Sequence, residues 1–89
     1  MKHSEKITFL TNVWYYYQEH KNQYWDMMSD IEDRIAELYY AQNKSAISSI
    51  DVNQQLSRDY QLGTRSTYAK GKLPADWVEK LYDDDDDVQ

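Results

Sequence analysis

The chain has no cysteine, which excludes a disulfide framework, a thiolate metal site and a cysteine nucleophile. It has one proline and two glycines in 89 residues. Sheet folds need turn residues at short intervals, so this shortage favours an all-α fold. No run is long and apolar enough for a membrane span, and the N-terminus has no apolar signal-peptide core. A cytoplasmic protein is the simplest expectation. Phenylalanine occurs once, against nine tyrosines and three tryptophans. Tyrosine and tryptophan bury a ring while keeping a polar atom available, and binding surfaces use them heavily. A small core recruiting large rings for buried area is the alternative account.

Catalytic groups are scarce as well. The two histidines, His3 and His20, have no spacing partner for a metal site, such as His-x-x-x-His or Glu-x-x-His. There is no glycine-rich phosphate loop and no Gly-x-Ser-x-Gly elbow. The serines at 45, 48, 49, 57 and 66 would need a base held by a third group. The expectation is a protein that is not an enzyme and uses neither metal nor cofactor.

What is present begins with a stripe. Ile7, Leu10, Trp14, Tyr17, Lys21, Tyr24, Met28, Ile31, Ile35 and Leu38 follow an alternating 3,4 spacing whose one break is Lys21. Such spacing gives a helix a continuous apolar seam that a partner must cover. It predicts one long coiled-coil-like N-terminal helix over about residues 5–42, with Ser4 as its N-cap. The polar run 18–23 is either its wet middle or a hinge. The β-branched start Ile7-Thr8-Phe9-Leu10 competes as a short strand, but the seam runs through it. Tyr15 and Tyr16 fall off the seam and should be partly exposed unless a second partner covers them.

Short helices are expected over about 46–50, 52–61 and 75–82. Asp51 is read as a cap, Gly63 as an exit residue, and Pro74 as part of the first turn of the last helix. Val52, Leu56, Tyr60, Trp77, Val78 and Leu81 are their candidate apolar positions. Residues 1–82 then make one small helical domain and 83–89 an acidic tail. A helix of more than 30 residues is about 45 Å long, more than three short helices can cover. A homodimer sharing Leu10, Trp14, Tyr17, Tyr24, Met28, Ile31, Ile35 and Leu38 is therefore expected, with Lys21 setting register.

The net charge of −6 is unevenly spread. Residues 1–43 carry four Lys/Arg and seven Asp/Glu, residues 44–82 carry six and four, and Asp83–Asp87 add five carboxylates. Glu19, Asp26, Asp30, Asp33 and Glu37 would form one acidic stripe beside the seam. Neighbouring carboxylates on such a stripe stand roughly 5–6 Å apart, comparable with roughly 3.4 Å of axis per phosphate on a nucleic-acid strand. With Asp83, Asp84 and Asp85, the stripe would present a pseudo-backbone to a basic, nucleic-acid-binding protein. A solvated helix face is the plainer reading.

Residues 51–82 carry a second pattern. A capped helix, a glycine turn, a short basic helix over about 65–70 and then Gly71-Lys72-Leu73-Pro74 resemble the repressor-type helix-turn-helix of phage and bacterial regulators. The resemblance implies that Arg65, Ser66, Thr67, Tyr68, Lys70 and Lys72 face the major groove or phosphates. A small helical cap on the long helix is the structural alternative. In composition the chain is similar to small acidic phage proteins that block nucleases or other nucleic-acid machinery, anti-CRISPRs among them. The leading expectation is thus an acidic, DNA-mimic-like inhibitor using the stripe, with Tyr15 and Tyr16 as anchors. The alternative is a small dimeric DNA-binding regulator.

Overall fold

The computed structural model describes residues 2–20, 27–43 and 47–82. Its regular elements are α1 (His3–Glu19), α2 (Met28–Asn43), α3 (Ser49–Gln61) and α4 (Trp77–Tyr82). The described residues contain no strand. None of the helices is long and apolar enough to cross a membrane.

A single long helix does not form. α1 stops at Glu19, and His20 takes non-helical backbone angles (φ −127°, ψ 66°) while its N–H still reaches Tyr16 O. α2 packs against α1. The break falls in the polar run, where a continuing helix has no apolar side chain to bury. Closing a short connection costs little entropy, and it lets the two halves of the stripe cover each other. Leu10, Trp14, Tyr17, Met28, Ile31, Ile35 and Leu38 are all buried within one chain. The described residues of the expected dimer seam are therefore interior to the packing of α1 on α2. Tyr24 and Lys21 lie outside the described residues.

The C-terminal half closes the rest of α1. Residues 13–17 are buried without interruption, so α1 is covered around most of its circumference. Tyr15 and Tyr16, expected to be exposed, are covered from two sides. Tyr15 stacks on Tyr60 of α3 with ring planes 18° apart. The Tyr16 hydroxyl accepts a hydrogen bond from Gly71 N at 3.0 Å. Trp77 of α4 meets Tyr17 at 5.4 Å between ring centroids. α3 rests mainly on α2, through Val52 and Leu56.

One polar contact ties three helices. Trp14 Nε1 of α1 donates to Glu32 Oε2 of α2 at 2.8 Å, and Asn53 Nδ2 of α3 donates to the same oxygen at 2.7 Å. A buried carboxylate is tolerated only when donors replace its water.

The remaining boundaries shift by a few residues. α1 begins at His3, ahead of the expected Ser4 cap, and the Glu5 carboxylate accepts from Lys2 N. The expected helices 46–50 and 52–61 are one helix. Ser48 is its N-cap: its hydroxyl accepts from Asp51 N, and the Asp51 carboxylate accepts from Ser48 N. This reciprocal capping starts the helix at Ser49 and leaves Ile50 exposed on its first turn. Gly63, at φ 109°, follows the C-cap as expected. The last helix is shorter than expected, and Val78 is exposed while Trp77 and Leu81 are buried.

Candidate functional site

α2 separates its residues cleanly by face. Met28, Ile31, Glu32, Ile35, Ala36 and Leu38 are buried, while Asp33 and Glu37 are exposed and Asp30 is half-buried at its margin. Asp30, Asp33 and Glu37, spaced 3 and 4, form one row along the outside of the helix. Arg34 is the one cation beside this row among the described residues of α2, bonded to Glu37 Oε1 at 2.7 Å.

Two open clefts meet along the row. The first, about 290 Å³, is lined by Asp30, Asp33, Arg34, Glu37, Leu81 and Tyr82. The Tyr82 hydroxyl donates to Asp30 Oδ2 at 3.0 Å. That bond to a carboxylate, more than the slight burial or the charge itself, holds the Tyr82 phenol above its usual pKa. The second cleft, about 800 Å³, lies between α2 and the start of α3. Its rim carries Asp33, Glu37 and Asp51, and its apolar lining comes from Ala36, Tyr40 and Ile47. Tyr40 is 56% exposed and Tyr82 58% exposed. The site is a row of carboxylates with an exposed ring toward each end.

Only part of the expected stripe is brought together. Glu19 belongs to α1, away from the row, where its carboxylate accepts from Ser66 N at 2.7 Å. Its role is to hold the chain that returns past α1. Asp26, Asp83, Asp84 and Asp85 lie outside the described residues. Tyr15 and Tyr16 are core residues and offer no docking ring. Tyr40, Tyr82 and Asp51 line the clefts beside the row instead. Tyr40 was readable, because it continues the spacing of Asp33 and Glu37 by three residues. Asp51 and Tyr82 reach the site only by packing.

The expected reading helix is not formed. Residues 62–76 are turns and irregular backbone fastened to α1. Thr67 N donates to Asn12 Oδ1 at 3.0 Å, Ser66 N to Glu19, and Gly71 N to the Tyr16 hydroxyl. Tyr68 packs edge-on against Phe9. Arg65 lies over the Tyr60 ring at 3.9 Å and donates to the carbonyls of Tyr60 and Thr64. Lys70 and Lys72 are exposed, on a turn. Arg65, Ser66, Thr67, Tyr68, Lys70 and Lys72 therefore share no helix face to place in a groove. A backbone held by side chains of a distant helix has no local signature, and the helical reading followed from local pattern alone.

Among the described residues no three His, Cys, Asp or Glu side chains are grouped to hold a metal ion. The outward carboxylates are spread along α2 and across to α3. Comparison with protein-family models, curated proteins and solved structures finds no match.

Proposed function

We propose that the chain is a non-catalytic binding module that presents the outer face of α2 to a basic protein. We propose further that this partner binds nucleic acid, and that the module inhibits it by occupying its phosphate-binding surface. The observation that carries this reading is the row Asp30, Asp33 and Glu37. Its carboxylates stand roughly 5–6 Å apart, face outward, and share a surface with two exposed tyrosines. The five aspartates of residues 83–87 follow Tyr82 directly in the chain, and Tyr82 is bonded to Asp30.

Long-range attraction between this face and a basic cleft speeds association, and the tyrosines supply the desolvated anchors that charge alone lacks. The test is a pull-down from a bacterial lysate with tagged protein, with and without nuclease treatment. The expected result is a nuclease-resistant, stoichiometric nucleic-acid-binding partner released by competing DNA. Reversing Asp30, Asp33 and Glu37 to lysine should weaken that complex by about tenfold to a hundredfold, at about 1.4 kcal/mol per tenfold. Recovery of DNA fragments alone, or a complex indifferent to the triple reversal, rejects the proposal.

A further inference from the structure

The larger cleft has a composition that the carboxylate row alone does not explain. Ala36, Tyr40 and Ile47 give it an apolar lining, and Asp33, Glu37 and Asp51 stand around that lining. Among the described residues no ion pair to Asp33 or Asp51 crosses it: the Asp51 carboxylate accepts from Ser48 N at the cap, and Arg34 pairs with Glu37. The Glu37 side chain remains 68% exposed and Tyr40 56% exposed.

We infer that this groove between α2 and α3 takes a basic amphipathic helix of the partner. An aliphatic side chain rests on Ala36, Tyr40 and Ile47, while flanking lysines or arginines meet Asp33, Glu37 and Asp51. This inference rests on the reading above and specifies its contact. Charge complementarity selects a cationic occupant, since a phosphate backbone or an anionic membrane is repelled by the same three carboxylates. Backbone chemistry selects a helix. The long wall of the groove is α2, whose interior N–H and C=O groups are already paired, so an extended peptide finds no strand edge to join along it. A helix satisfies its own backbone and needs only side-chain contacts. A second copy of this chain is a poor occupant. Among the described residues its exposed cations Lys2, Arg58, Arg65, Lys70 and Lys72 sit ahead of α1, on the end of α3 and on irregular backbone, and so share no one helix face.

The test uses the full chain and a synthetic helical peptide of about 16 residues, built from Lys, Arg and Ala with leucines at i, i+3, i+4 and i+7. A control peptide has those leucines replaced by alanine at unchanged charge. Calorimetry at low salt should show the leucine peptide binding about tenfold or more tighter than the control. Tyr40→Ala, and separately Asp33→Asn with Glu37→Gln, should each lower its affinity several-fold. Both variants lie on exposed positions, and unchanged thermal melting by circular dichroism checks their folding. Glu79→Gln, an exposed charge on α4, should leave binding unchanged.

Four results overturn the inference. Equal binding of the two peptides means attraction by charge alone, and it leaves the wider reading of the acidic face standing. No binding of either peptide removes the groove as a docking site, while the pull-down still decides the wider reading. A loss with Glu79→Gln equal to that of the groove variants shows that net charge, not this site, is responsible. Self-association abolished by Tyr40→Ala gives the groove to a second copy instead.

Discussion

Tyr15 sits where burial and charge act on one hydroxyl in the same direction. Its ring is covered by Trp14 and Tyr60, and its hydroxyl is 3.4 Å from Asp59 Oδ2. Burial first, then the Asp59 carboxylate, pushes the phenol from 10.0 up to about 12. The fold therefore favours the protonated form. That contribution is fully present below pH 10 and is lost as pH rises through about 12. Tyr15→Phe should lose stability less steeply than the parent between those pH values, as read from urea midpoints taken across that window and below it. Superimposable profiles would show that burial of this hydroxyl contributes nothing. Trp14 and Glu32 show a different arrangement, since there a buried carboxylate accepts from donors on two other helices. Removing one such donor leaves the carboxylate short of a partner, a change that typically costs about 1–3 kcal/mol.

At the scale of elements, the segment 62–76 is held on α1 chiefly by three side-chain acceptors: Asn12, Tyr16 and Glu19. The segment has no regular hydrogen-bond ladder of its own, so these contacts decide whether it stays docked. Glu19→Ala leaves Ser66 N–H without its acceptor and should destabilise the fold by about 1–3 kcal/mol. Amide exchange at Ser66, Thr67 and Gly71 should quicken more than exchange in α2, because local release of the segment precedes global unfolding. Uniform acceleration across all four helices would mean that Glu19 supports the core as a whole. The segment leaves α3 through Gly63, whose φ of 109° an L side chain rarely adopts. A methyl group there would meet no atom within 4 Å, so the requirement for glycine is one of backbone and not of space.

The described residues extend 32 Å along their longest axis, too short for a helix of about 45 Å. Folding the seam into a hairpin spends its apolar surface inside one chain. A single-chain mass by sedimentation equilibrium is therefore expected, and the net charge of −6 adds repulsion between copies at low salt. A dimer that persists in Tyr40→Ala would mean that the hairpin opens and the seam is shared after all. The same folding sorts charge. The row on α2 faces outward, while the cations Arg58, Arg65, Lys70 and Lys72 lie at the end of α3 and beyond it. The proposed docking face is thus a property of the assembled molecule, because one of its rings comes from α2, the other from α4, and its third groove carboxylate from α3.

The sequence by itself determined the helical class, through its want of glycine and proline, and every described apolar seam position from Ile7 to Leu38 is indeed interior. It also placed the exit at Gly63 and the row Asp30, Asp33 and Glu37 on one helix face. Periodicity reports which residues share a face, and those residues share one whatever covers them. Only the tertiary structure decided what the cover is. It set the break after Glu19, buried Tyr15 and Tyr16 under α3 and the returning chain, and detached Glu19 from the acidic stripe. It also laid residues 65–70 out as irregular backbone. Each of these turns on contacts between residues far apart in the chain, such as Asn12 with Thr67 and Tyr16 with Gly71. Their energies outweigh local propensity, and no local pattern encodes them.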